Sequence, residues 1–310
     1  MAALTACGSS GGSASATANG MTNITVLRST GTTFEGLYIA QEQGFFKKNG
    51  LSVTIKVGAQ DTSQDIPTLL RGGAQLSMVD PIGLFKAISQ GLKVEGMANI
   101  QAAPTIPQGD GVLVKKDSGI TRPRDLVGKT IGIPALGNTL DLSLRYAVQK
   151  DGGDPSKLKF VVLPTASLEQ ALMKGQVDAI DTFTPYFNAA IADGAVKIGT
   201  GTNVMPGLPQ ALFMASNQWL DSNPSTARKF IKAMQEGFAY ANSHPASIRA
   251  IDKEYTTLPS SVIETRNLPP YSVTLDASAV KLAAKAAYTY GDITKQIDPD
   301  STLWSGAPTG

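Results

Sequence analysis

The side chains able to do chemistry fall in short Ser-, Thr-, Asn- and Gly-rich stretches that precede helices or crossings. One set is Ser29 to Thr33, Asp61-Thr62, Asp80-Pro81 and Gln101-Ala102. A second is Leu136 to Thr139, Pro164-Thr165 and Thr182 to Tyr186. A helix start leaves backbone N–H groups unpaired, and beside short hydroxyl side chains these make a site for a carboxylate, sulfonate or similar group. The candidate ligand-binding residues are Thr30, Thr32, Thr33, Phe34, Asp61, Asp80, Pro81, Gln101, Asn138, Thr139, Thr184 and Tyr186. A purely structural role competes at each. Asp80-Pro81 and Thr184-Pro185 suit an N-cap and first turn, and Asn138 or Thr139 can cap the next helix. Capping and contact use the same helix end, so they are compatible.

Other chemistries find little support. The single histidine, His244, lies in Ser-His-Pro at a predicted helix end, and the single cysteine is Cys7. No Ser/His/Asp or Cys/His constellation can be assembled from them, and no HExxH occurs. A Cys-ligated zinc site and a disulfide framework are both excluded. No metal or cofactor is expected. Asp61, Asp80, Asp141 and Asp181 leave carboxylate chemistry open, but no pair is adjacent in sequence. Gly128-Lys129-Thr130 resembles the end of a phosphate loop, yet Pro123 stands where that loop needs glycine. The segment also leads into a predicted strand rather than a helix, so it reads as a turn.

These loops need a scaffold, and 310 residues suffice for two lobes of roughly 100 to 150 residues. Apolar residues make up 42% and charged residues 17%, ordinary for a globular chain, with no apolar run near the roughly 18 residues of a membrane span. Net charge is +2 with scattered Lys and Arg, which argues against nucleic-acid binding.

Apolar periodicity predicts strands at Ile24 to Arg28, Leu51 to Val57, Leu76 to Val79 and Val94 to Ile100. Helices fall between them. One carries Phe34, Leu37, Tyr38 and Phe45 before Gly50, one runs from about Ser63 to Gly72 with Pro67 in its first turn, and one spans Pro81 to Gln90. The β-α-β-α-β order predicts a mostly parallel sheet covered by helices. Gln101 to Gly111 lacks periodicity and reads as a crossing between lobes. A second α/β series follows, with strands at Gly111 to Lys115, Thr130 to Ile133, Phe160 to Leu163 and Val177 to Asp181, and a helix at Thr139 to Lys150. Gly199 to Pro209 reads as the return crossing, before a strand at Ala211 to Ala215. The remainder is mainly helical. Asn223 caps a helix starting at Pro224, another spans about Asp276 to Tyr290, and the tail after Trp304 is expected to be loose. Gln75 to Asp80 echoes Gln176 to Asp181, each ending a predicted strand with aspartate, as two lobes on one plan would. The expected division is 1–20 as leader and tether, 21–110 plus 213–310 as one lobe, and 111–212 as the other.

Leu4-Thr5-Ala6-Cys7-Gly8, followed by Ser/Gly/Ala-rich sequence to Gly20, resembles a bacterial lipoprotein processing site. In that reading Cys7 carries the lipid and the following residues are a flexible tether. The basic and long apolar parts of a signal peptide are missing ahead of it, so the numbering is expected to begin partway into the natural chain.

Gly36-Leu-Tyr-Ile-Ala-Gln-Glu-Gln-Gly-Phe-Phe-Lys-Lys-Asn-Gly-Leu-Ser-Val53 opens a series of further matches. It continues with Gly73 to Asp80, Asp125 to Ile133, and Gly175 to Ile180 followed by Pro185-Tyr186. In order and spacing these resemble the solute-binding proteins of bacterial ABC importers, in the branch handling sulfonates, taurine, nitrate and thiamine-type pyrimidines. The resemblance spans about Ile24 to Trp304. It implies an α/β, two-lobe, type II periplasmic-binding-protein fold, with hinge crossings and a ligand cleft between the lobes. It implies a monomeric extracytoplasmic protein without enzyme activity, partnered by a small-molecule solute and an ABC permease, and held to the membrane through Cys7. Two departures stand out: Thr184 occupies a position acidic in several relatives, and Asp80 one that is neutral in many anion binders. A neutral pyrimidine therefore stays open beside a sulfonate, taurine-like solute, nitrate or organic acid. Pyrimidine synthases on the same fold use a cysteine-rich motif and an active-site histidine, neither present here. A regulator would need a DNA-binding or signalling domain, for which the two lobes leave no room.

Overall fold

The first sheet is built in the order β2-β1-β3-β10-β4, from strands β1 (Thr22–Arg28), β2 (Leu51–Val57), β3 (Leu76–Val79), β4 (Val94–Ala102) and β10 (Pro209–Ser216). The second has the order β7-β6-β8-β5-β9, from β5 (Asp110–Lys115), β6 (Thr130–Ile133), β7 (Lys159–Val162), β8 (Ala179–Phe183) and β9 (Ala195–Lys197). The computed structural model describes residues 20–29, 33–59, 62–103, 109–184, 186–268 and 270–310. Helices α1 (Glu35–Glu42), α2 (Phe45–Lys48), α3 (Ile66–Leu70) and α4 (Pro81–Ser89) lie between strands of the first sheet. Helices α5 (Thr139–Lys150), α6 (Thr165–Met173) and α7 (Tyr186–Ala192) lie between strands of the second. After β10 come α8 (Asn217–Ser222), α9 (Pro224–Ser243), α10 (Pro245–Tyr255), α11 (Ser260–Thr265) and α12 (Ala277–Thr289).

Both sheets are mixed: in each, four strands share one direction, as a mostly parallel sheet requires, and one runs against them. β1 runs parallel to β2 and β3, but β10 is antiparallel to both β3 and β4. β6 likewise runs parallel to β7 and β8, while β5 is antiparallel to β8 and β9. In each sheet the reversed strand, β5 or β10, is the one the chain enters after leaving the other sheet. β10 pairs with the first sheet from Pro209, so the expected boundary at 212/213 falls inside a strand of that sheet.

Side-chain alternation explains why the sheets are buried on both faces. On β10, Ala211, Phe213 and Ala215 join one core while Leu212 and Met214 join another. On β5, Val112 and Val114 face one core and Leu113 the opposite one. The predicted stripe of α9 is buried, and Phe230 meets Phe213 edge-on at 5.0 Å. α1 lies close against α9 because both are small at the contact. A Cβ on Gly36 would come within 2.4 Å of Phe238, and one on Gly237 within 2.7 Å of Ala40.

The echoed sequences fall on topologically equivalent strands, β3 and β8, but out of register. Thr25 N donates to Gln75 Oε1 at 2.7 Å, and Thr130 N donates to Asp178 Oδ2 at 2.8 Å. Gln75 therefore matches Asp178, two residues beyond the Gln176 of the echo. Asp80 follows β3, whereas Asp181 lies inside β8 rather than at its end. The tail is also not loose: Trp304 is buried, and Gly310 N donates to Leu275 O at 3.0 Å. His244 sits at a helix end as expected, between α9 and α10, with Nδ1 2.9 Å from Tyr240 O.

Candidate functional site

A cleft of about 370 Å³ opens where residues from both sheets and both crossings meet. β3 ends at Val79, and Asp80 leaves it in extended conformation to cap α4, accepting from Ile82 N at 2.8 Å. Pro81 fits the first helical turn, where a missing N–H costs nothing. From the second sheet, Asn138 caps α5 by accepting from Asp141 N at 3.1 Å. Thr139 then reaches the first sheet's half: its Oγ1 donates to Asp80 Oδ2 at 2.5 Å, and its N lies 3.3 Å from the same oxygen. Lys86 Nζ adds a bond to Gly137 O at 2.9 Å.

Thr184, just past β8, is tied to the first crossing: its N and Oγ1 reach Gly109 O at 2.7 and 3.0 Å. The two crossings are bonded to each other. Thr202 N donates to Asp110 Oδ2 at 2.8 Å, and Val112 N donates to Thr200 Oγ1 at 2.8 Å. Gln210 Nε2 reaches Thr202 Oγ1 at 3.1 Å. Gly111 adopts φ +115°, and a Cβ there would sit 2.9 Å from Thr200 O, so only glycine suits this approach.

The C-terminal part contributes Leu258, Arg266 and Asn267. Arg266 is the only Lys or Arg among the described lining residues, and it is buried and clamped from behind. Its Nε donates to Asp252 Oδ2 at 2.8 Å and its Nη2 to Glu35 Oε1 at 2.5 Å, while Tyr271 OH donates to Glu35 Oε2 at 2.8 Å. Burial pushes the Glu35 carboxyl up to about 8 against the pull of Arg266. Two carboxylates thus converge on one guanidinium. Burial also raises Asp80, opposed by its bonds from Thr139 and Ile82 and by the charge of Lys86. Behind the cleft, burial and then the nearby Asp110 and Asp141 charges push Asp181 well above the usual carboxylate range.

Of the residues expected from sequence, the cleft brings together Thr33, Asp80, Gln101, Asn138, Thr139 and Thr184. Three others are placed elsewhere. Phe34 is fully buried in the core with the Arg28 guanidinium 4.0 Å above its ring, because α1 needs an apolar anchor at its start. Pro81 is buried in the first turn of α4, and Tyr186 starts α7 with its ring edge-on to Phe183. Neither lines the cleft. Thr30, Thr32, Asp61 and Cys7 lie outside the described residues. Sequence reasoning missed Asp110, Thr202 and Gln210, although the predicted crossings pointed to that region. It also missed Leu258, Arg266 and Asn267, which sit in an aperiodic run with no signal. The lining sets amide, hydroxyl, carboxylate and guanidinium groups within a surface that is largely apolar. It is suited to hold a small polar molecule by hydrogen bonds, and among its described residues there is no histidine or cysteine.

Two half-sites built on matching sheets and closed over a cleft define the periplasmic-binding-protein fold. The aliphatic sulphonate binding protein SsuA of Escherichia coli has this fold, superposing with a TM-score of 0.77 at 20% identity over 92% of this chain and 93% of that one. The family model described as NMT1/THI5 like matches residues 31–248, and the chain belongs to that family. The Bacillus subtilis (strain 168) relative YtlA, named a binding protein, is 26% identical over 253 residues, 79% of this chain and 74% of YtlA. The taurine-binding periplasmic protein of Escherichia coli (strain K12) is 25% identical over 213 residues, 68% of this chain and 64% of its own length. The match thus spans just under two thirds of that relative.

Proposed function

We propose that this protein is the extracytoplasmic solute-binding component of an ABC importer, capturing a small polar organic solute in the cleft and delivering it to a membrane permease. The single observation that carries the reading is a cleft lined jointly by Asp80 and Gln101 of one half and by Asn138, Thr139 and Thr184 of the other. A molecule held by both halves stabilises their closed arrangement, and closure strengthens each hydrogen bond by excluding water. The two halves, one built on each sheet, act as two lobes of a monomer hinged at the paired crossings. The family and the relatives, whose names include binding proteins for taurine and aliphatic sulphonates, support a sulfonate or a taurine-like compound as solute. The protein binds and releases this solute without converting it. Lipid on Cys7 holds it at the outer face of the membrane, on a tether whose mean reach is roughly 20 Å by flexible-chain scaling.

A thermal-shift screen of sulfonates, amino-sulfonates, nitrate, pyrimidines and aromatic acids tests the reading. A saturable rise in melting temperature with one of these classes is expected. If no compound in any class stabilises the chain, the reading fails.

A further inference from the structure

The amino end of a 12-residue helix such as α5 presents unpaired N–H groups and the positive end of its dipole, where an anion is stabilised. Here an anion from the chain itself is already seated. The Asp80 carboxylate comes across from the other half, with Oδ2 accepting from Thr139 Oγ1 at 2.5 Å and facing Thr139 N at 3.3 Å. Ile82 N fixes Oδ1 at 2.8 Å. Two neighbouring donors are also occupied, Asp141 N by Asn138 Oδ1 and Gly137 N by Asp141 Oδ2 at 2.9 Å. One carboxylate therefore caps α4 and bonds to the first residue of α5 in the other half while lining the cleft. An anionic group arriving at the amino end of α5 meets the like charge of Asp80, which is a repulsive element of specificity.

We propose, resting on the reading of the cleft as a solute site, that Asp80 sets its charge preference. As a tethered anion it excludes simple oxyanions from the amino end of α5, and the solute presents a neutral or hydrogen-bond-donating group there. A carboxylate oxygen with one partner keeps a lone pair for such a donor, and Oδ1 is in that position.

Isothermal titration of the full chain with methanesulfonate and with inorganic sulfate tests this, comparing wild type with Asp80→Ala. The substitution should tighten methanesulfonate binding by roughly tenfold or more, and the added anion should shift the Thr139 amide resonance. Asp80→Asn, whose Oδ1 can still accept from Ile82 N while its Nδ2 donates to Thr139 Oγ1, serves if the alanine variant does not fold, and should show the same direction. Wild type binding methanesulfonate as tightly as the variants overturns the proposal. So does a gain that leaves the Thr139 resonance unmoved, or no gain in either variant. Each of these results is independent of whether an organic solute stabilises wild type, so failure here is separable from failure of the solute-binding reading.

Discussion

Asp80 and Thr139, on different sheets' loops, meet across the cleft through a hydroxyl-to-carboxylate hydrogen bond of 2.5 Å. Thr139→Val keeps the shape and removes that donor. Asp80 Oδ2 is then left with only the long contact to Thr139 N. A loss of about 1–2 kcal/mol in urea unfolding is expected. An unchanged midpoint would show that water replaces the hydroxyl at no cost.

Glu35 gives a pH signature. Its carboxyl is raised from 4.5 to about 8 by burial, so the folded chain keeps a proton that the unfolded chain releases. The stability tied to this group is fully present below the unfolded value and is lost as pH rises towards 8. The slope can reach about 1.4 kcal/mol per pH unit over that window. Glu35→Gln resembles the protonated form and should flatten the slope between those values. Denaturant unfolding of both proteins along the pH series measures it, and an equal slope in the variant would assign the effect to another group.

Gly111 tolerates little change at the crossings. Alanine there must adopt φ +115° and place its Cβ 2.9 Å from Thr200 O. Gly111→Ala should cost about 1–3 kcal/mol or more, read as a lowered melting temperature. An unaffected variant would mean that the crossings can part without loss.

Asn267 is exposed at the cleft and has no part in the Arg266 clamp. Asn267→Ala should leave stability within about 0.5 kcal/mol. It should weaken binding of whichever screened solute stabilises the chain by about tenfold. Titration of the two proteins with that solute decides, and equal affinities would remove Asn267 from the site.

Local pattern carried much of the architecture. Thr139 to Lys150 is a helix with the bounds its cap and stripe predict, and Leu51 to Val57 alternates because one side of β2 packs inward. Strand direction was not legible, because a period of two is the same read either way. β5 and β10 were found as strands, but not as the reversed ones. β9 has three residues, too few for any period to show. The Asp181 misplacement follows from the same limit. A two-residue slip preserves which face each side chain takes, so the echo looked sound while moving Asp181 from mid-strand to strand end. Arg266 was out of reach for a different reason: its partner Glu35 lies 231 residues away and meets Asp252 around it only once α1 and α10 pack together.

The rungs between the crossings have a mechanical meaning. Asp110 to Thr202 and Val112 to Thr200 bind two segments edge to edge, making a strap instead of a pair of separate strings. A strap bends readily out of its own plane, but it resists torsion and sideways shear, which would stretch every rung at once. On the proposed two-lobe reading, travel of one half against the other would be guided along a single arc, bringing the two walls of the cleft back into the same alignment on each swing.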